Sequence, residues 1–377
     1  MNKKTIVAGH ICLDITPKFP AKSSGGITQV LSPGKLVQVD EADVHTGGAV
    51  ANTGLAMKFF GADVQLMGKI GCDAFAAMVL DVLRSHGAAD GMIVAKGEAT
   101  SYSVVLAIPS VDRIFLHNPG ANDTFCSSDV PQSALKDATL LHFGYPPLMK
   151  SMFQNSGEQL VDLFRRAKEA HTATSLDMAM VDADSAAGKS DWQVILQRVL
   201  PLTDFFVPSA EELCFMLDKA RYKSWQERAA GKDVAQILDI EGDVAPLARR
   251  CLEFGAKVVL VKCGSRGMYF CSASAERGSG QALGELCAAL GLSTDGWADK
   301  AFFERSFLPD RIASGTGAGD TSIAAFLCAM LEGHTAHQSV ALAAAAGAAC
   351  VASYDALGSL LPLDKLQEKI DAGWKKC

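Results

Sequence analysis

Residues 313–333 read ASGTGAGDTSIAAFLCAMLEG. Three glycines fall within the five residues 315–319, and Asp320 follows at once. Ile323, Phe326, Leu327, Met330 and Leu331 then repeat at helical spacing, up to a stop signal at Gly333. A helix therefore begins at this turn. Gly317, Ala318 and Gly319 stand where backbone N–H groups lack intrahelical partners and the macrodipole adds partial positive charge. Their small or missing side chains let a phosphate approach that backbone closely. Asp320, beside such an anion site, would repel a static phosphate. Phosphoryl transfer supplies a reason for it: a carboxylate takes the proton of the attacking hydroxyl while the amides stabilise the transferring group. The other reading is a helix-dipole or capping acid, worth about 0.5–2 kcal/mol. The turn alone leaves both open.

Outward from this turn, apolar strand-like runs alternate with helical periods. Ile6 to Ile15 reads as one strand, GGAVANTGLAMKFFG (47–61) as a helix closed by Gly61, and ADVQLMGKIG (62–71) as a strand. In DAFAAMVLDVLRSHG (73–87), Phe75, Met78, Val79, Val82 and Leu83 mark a helix with Gly87 as its cap. Further strands are expected at Leu140 to Phe143, Thr174 to Asp177, Asp204 to Pro208 and Val258 to Cys263, with helices such as GEQLVDLFRRAKEA (157–170) between them. This alternation predicts an α/β fold with a mainly parallel sheet covered by helices on both faces. Residues about 15–45 and 92–118 break the rhythm with short alternating runs, among them GKLVQVDEADVH (34–45), and predict a small antiparallel sheet inserted as a lid. A Gly-, Ser- and Ala-rich stretch at about 272–306 reads as an irregular insertion.

Composition narrows the function. The chain has 377 residues, 49% hydrophobic and 20% charged, enough for a large buried core. Its net charge of −7 argues against a nucleic-acid partner. The 11 cysteines are odd in number and contain no CxxC pair, and Cys12, Cys214, Cys251, Cys263 and Cys328 lie among apolar neighbours. That predicts free thiols in a reducing cytoplasm. MNKKTIVAGHICLD (1–14) reads as a first strand rather than a signal peptide, and runs such as VALAAAAGAACVA (340–352) are too short to span a bilayer.

Four segments taken in order carry a resemblance. SGTGAGD (314–320) resembles the signature of the ribokinase-like (PfkB) carbohydrate kinases. HTGGAVANTGLAMKFFGADVQLMGKIGCDAFA (45–76), HNPGAND (117–123) and VVLVKCGSRGMYF (258–270) are similar to that family's other elements, in the family's order, across nearly the whole chain apart from the 272–306 stretch. The resemblance implies a three-layer αβα sandwich with a β-sheet lid, ATP as donor, Mg²⁺, and a sugar-like or nucleoside acceptor phosphorylated on an alcohol group. It implies Asp320 as catalytic base and Gly317, Ala318 and Gly319 as the anion hole. Asp14, Gly47, Gly48 and Asn52 would contact the acceptor; Lys262, Gly264 and Gly267 would lie at the nucleotide. On the residues alone, Asp14 also reads as a solvated strand-end charge and Asn52 as a helix-surface amide.

The chain departs from the family pattern at several points. Ser314 and Gly315 stand where an acidic or amide residue and then threonine are usual, so dependence on a monovalent cation does not follow from the resemblance. Of the element that organises water around Mg²⁺, Glu212 is kept and Ser209 replaces the amide; Ser209 and Glu212 equally spell a capping box. Lys262 replaces a common threonine and would contact donor phosphates or pair with an acid. Asp355 and Ala356 replace a common Gly-Ala. These departures leave a second reading, a sugar- or nucleotide-sensing pseudokinase without turnover. Three patterns are set aside: AGKS (187–190) lacks the first glycine of a Walker loop, the run from Gly278 lacks dinucleotide spacing, and His334 and His337 lack metal-spaced partners. Tyr102, Arg113 and His117 lie in lid-like strands, each with an even chance of facing the acceptor. A homodimer through the lid is a further expectation.

Overall fold

The computed structural model describes residues 3–20, 30–108, 114–276, 283–353 and 355–377. Arg113 and most of the run from Gly278 lie outside them. An eight-stranded sheet forms the body. Its strands in chain order are β1 (Thr5–Gly9), β4 (Val64–Met67), β9 (Leu140–Gly144), β10 (Ala173–Asp177), β11 (Phe205–Phe206), β12 (Val258–Lys262), β13 (Gly267–Ser272) and β14 (Ala301–Arg305). Across the sheet the order is β14-β13-β12-β11-β10-β9-β1-β4. Every pairing from β4 to β12 is parallel, whereas β13 and β14 are antiparallel additions at one edge.

Successive side chains of a strand point to opposite faces, and the core divides accordingly. Val7, Leu140, Phe205 and Leu260 pack on one face with the Gly48–Phe59, Ala318–Glu332 and Ala336–Cys350 helices. Ile6, Leu141, Phe206 and Val259 pack on the other, with the Trp192–Val199 and Ala245–Phe254 helices among its partners. The result is the three-layer αβα arrangement. All 11 cysteines are free thiols, and the five singled out in the sequence are buried.

The single strand expected at Ile6 to Ile15 is two strands in different sheets. Gly9, at φ +125°, lies against Gly144 so closely that a Cβ would collide with the Gly144 carbonyl. There the chain leaves the body, and β2 (Cys12–Pro17) starts a second sheet. That sheet runs β3-β2-β7-β8, with β3 at Ala42–Gly47, β7 at Tyr102–Leu106 and β8 at Ile114–Asn118. It is mixed rather than antiparallel, because β2 pairs with β7 in parallel. These two strands are joined through β4 and the Ala74–Ser85 helix, the long crossover that parallel pairing requires. The strand expected at 62–71 also breaks, at Gly68: β5 (Lys69–Ile70) pairs with β6 (Ile93–Val94) instead of continuing β4. Of GKLVQVDEADVH only the part from Ala42 onward is strand. The 272–306 stretch supplies the Leu283–Leu290 and Thr294–Trp297 helices and the edge strand β14.

Candidate active site

The Ala318–Glu332 helix opens on Gly317, whose φ of +75° is left-handed. A Cβ at Gly317 would come within 2.5 Å of the Ala356 Cβ, so glycine is needed for conformation and for space. Asp320 lies in the first helical turn and is 4% exposed. Three donors hold its carboxylate. Asn52 Nδ2 donates to Oδ2 at 3.0 Å, Thr53 Oγ1 to Oδ1 at 3.2 Å, and the Tyr145 hydroxyl lies 2.8 Å from both oxygens. Asn52 and Thr53 come from the Gly48–Phe59 helix, which packs on the Ala318–Glu332 helix, and Tyr145 follows β9 directly. Burial pushes the Asp320 carboxyl up; the Lys262 ammonium and the three hydrogen bonds pull it back without cancelling the rise. A carboxylate raised in this way is closer to the working range of a general base.

Lys262, at the end of β12, runs along the same turn: a Cβ at Gly319 would lie 3.7 Å from its Nζ. Of the two roles open in the sequence, the ion pair is present, with Nζ 2.7 Å from Asp177 Oδ1. Burial works against this ammonium, but Asp177, Glu212 and Asp320 hold it above its ordinary value. Asp177 ends β10 and is buried, and its Oδ2 has no hydrogen-bond partner among the described residues. Ser209 and Glu212 form the capping box: Ser209 N donates to Glu212 Oε2 at 2.7 Å and Glu212 N to Ser209 Oγ at 3.3 Å. Gly264 and Gly267 have φ of +56° and +130°, and a Cβ at Gly267 would collide with the Glu304 carbonyl of β14. Sheet packing therefore already explains Gly267.

A cavity of about 740 Å³ separates the body from the small sheet. Asp14, His45 and Phe115 line it from the sheet side, Asn52 from the helix, Ser314 and Thr316 from the turn, and Ala356 from the loop that follows the Ala336–Cys350 helix. Asp14 is raised by burial, against Cys12, Ser103, His117 and His45, which favour its charged form. A Cβ at Gly47 would collide with the Asp14 carboxylate, and one at Gly48 would press on His10. The glycine pair thus lets β3 close over both residues. Of the lid candidates, His117 shares a 3.0 Å hydrogen bond with Ser103 Oγ, and Tyr102 packs on Phe75 with ring centroids 5.2 Å apart. His337 stacks on Phe302 and His334 contacts Glu332, and the described residues contain no cluster of three or more metal-ligating side chains.

The structure thus joins Asp320, Asn52, Lys262 and the glycine turn into one constellation, with Asp14 across the cavity. Sequence reading missed Thr53, Tyr145 and Asp177. A carboxylate at the C-terminal end of a parallel strand is a recognisable signal, because open α/β sheets bind ligands there. Tyr145 offered none beyond its place after β9.

These features have parallels. The family profile described as pfkB family carbohydrate kinase matches residues 7–362, and the chain belongs to that family. An uncharacterized sugar kinase of Archaeoglobus fulgidus is 20% identical over 304 residues, 80% of this chain and 96% of the relative. Fructokinase-1 of Zea mays is 28% identical over 140 residues, 36% of this chain and 42% of that enzyme, so this match spans less than half of either chain. Arabidopsis thaliana ribokinase complexed with ribose and ATP superposes with a TM-score of 0.71 at 19% identity, covering 98% of both chains. A Burkholderia thailandensis nucleoside kinase in complex with inosine gives 0.64 at 15% identity, again over 98% of each. The fold is that of the ribokinases. No helix among the described residues is long and apolar enough to cross a membrane.

Proposed function

We propose that the protein is an ATP-dependent kinase that transfers the γ-phosphoryl group to a hydroxyl of a sugar or nucleoside. In this reading Asp320 accepts the hydroxyl proton, and the amides of Gly317, Ala318 and Gly319 stabilise charge on the phosphoryl group in flight. The observation that carries it is the buried, donor-held Asp320 carboxylate in the first turn of the helix that the glycine turn opens. Asp14, Asn52 and the Gly47-Gly48 pair form the acceptor side. Lys262, beside Gly319, faces the donor phosphates.

Family membership points to Mg²⁺ as well. Mg²⁺ keeps most of its waters and uses one or two carboxylates, so it needs no dense ligand cluster. The unpartnered Oδ2 of buried Asp177 fits this chemistry, and Asp177 and Glu212 would hold the ion through water. When bound it neutralises charge on the donor phosphates.

A coupled assay of ADP release over ribose, fructose and inosine, with and without potassium, identifies the acceptor. Asp320→Asn should bind ATP with unchanged affinity and lose at least ~10²-fold in kcat, the usual contribution of a positioned base. Turnover near the parent rate in that variant removes Asp320 from the role. ATP binding by calorimetry with no turnover on any acceptor would favour the sensor reading instead.

A further inference from the structure

The hydroxyl of Tyr145 needs an explanation that the reaction does not give. It stands 2.8 Å from each oxygen of Asp320, and one proton bridges the two. A carboxylate offers about four lone-pair directions. Thr53 and Tyr145 fill those of Oδ1, and Asn52 and Tyr145 those of Oδ2. Held this way, three hydrogens cover four lone-pair directions, because the Tyr145 hydrogen is shared across two of them. An acceptor hydroxyl needs a lone pair of the base, and the shared pair is the one held least firmly.

The three donors are not equivalent. Asn52 and Thr53 are neighbours in the middle of a regular helix, and each gives a separate hydrogen to one oxygen. Tyr145 divides one hydrogen between two oxygens, so its bond to each is the weaker kind. It also sits in a left-handed conformation, φ +68° and ψ +41°, which is uncommon for a bulky residue and clusters at functional sites. Burial, and then the charges of Asp320, Asp177 and Glu212, keep its phenol protonated, so it is a donor and not a rival base. Its ring lies 6.0 Å from that of His10, a side chain 2% exposed whose two nitrogens have no hydrogen-bond partner among the described residues. A phenol that leaves Asp320 therefore has an unpartnered imidazole beside it.

We propose that the Tyr145 hydroxyl holds the seat of the acceptor hydroxyl on Asp320 and yields it when the acceptor binds. Tyr145 is thus a positioning residue that acts through Asp320. While the acceptor is absent it keeps water off the base, and so suppresses transfer of the phosphoryl group from ATP to water. This rests on Asp320 being the base of the proposed reaction.

The test is Tyr145→Phe in the full chain, with Asp320→Asn beside it. With ATP and Mg²⁺ alone, phosphate release by Y145F should rise about fivefold, the size of one net hydrogen bond, because water can take the vacated place. With the sugar or nucleoside that gives turnover, the acceptor KM should fall by a similar factor while the KM for ATP stays put. A merely structural role predicts the reverse, a raised KM with no added hydrolysis, and that result overturns the proposal. If Asp320→Asn keeps its turnover, Asp320 is not the base, and the reading on which this proposal rests fails whatever Y145F does. If it loses turnover while Y145F matches the parent in both readouts, only the Tyr145 proposal fails. A structure of the unaltered protein with acceptor bound tests the same point without a variant: a Tyr145 hydroxyl still bridging both Asp320 oxygens overturns it.

Discussion

His142 is buried on β9, with Nδ1 2.9 Å from Ser175 Oγ and, among the described residues, no hydrogen-bond partner on Nε2. Burial, and then the Lys262 charge, lower its pKa from 6.5 to about 3. In the unfolded chain the imidazole titrates at its ordinary value, so between pH 6.5 and 3 the unfolded state binds a proton that the native state refuses. Stability from this residue is complete above pH 6.5 and declines as the pH falls. From pH 7 to pH 5 the loss is about 2 kcal/mol. His142→Gln should remove that component, so urea midpoints of variant and parent should converge as the pH is lowered over this range. Parallel pH profiles for the two proteins would mean that the imidazole is protonated in the native state. No local pattern in LLHFG announces this residue, because its titration is set by packing between strands. Asp320 differs: its place in the first turn of a helix opened by glycines was legible from neighbours in sequence, since glycine turn, carboxylate and helix start lie within a few residues.

At the scale of elements, the Ala318–Glu332 helix was readable from both ends, from its glycine turn to Gly333, which is left-handed at φ +93°. The N-terminal strands were not. A run of apolar residues from Ile6 to Ile15 carries no mark of the sheet change at Gly9, which follows from contact with Gly144, 135 positions away (144 − 9). The same helix start yields a prediction. Gly317→Ala places a Cβ in a left-handed backbone, costing about 1–2 kcal/mol, and drives it toward Ala356. The turn should relax and its amides lose their common aim. ATP affinity by calorimetry should fall together with the unfolding free energy, while the acceptor KM, which the proposed function assigns to Asp14 and Asn52, should change little. Unchanged ATP affinity would remove the phosphate site from this turn.

Over the whole molecule, the parallel body was legible because each buried strand is a short apolar run bounded by helical periods. The small sheet was legible as strands but not as a sheet. Its central pair, β2 and β7, brings together Leu13 with Tyr102 and Ile15 with Val104, and local alternation cannot select partners so distant in sequence. That sheet joins the body at the His10–Ile11 break, at the Gly47-Gly48 pair, before β7 and after β8, and it leaves Phe115 54% exposed at the cavity. An acceptor at the proposed site between Asp14 and Asp320 would touch both halves, so closure would bury apolar lining and exclude water from the phosphoryl group. Amide hydrogen exchange should therefore slow in Tyr102–Leu106 and Ile114–Asn118 when the acceptor that supports turnover is added with a non-hydrolysable ATP analogue. Leu140–Gly144 and Ala173–Asp177, buried in the body sheet, should exchange at the same rate with or without ligand. Equal protection of both sheets would indicate general stabilisation by ligand. Slowing confined to the small sheet requires that it move against a rigid body, the behaviour of a lid.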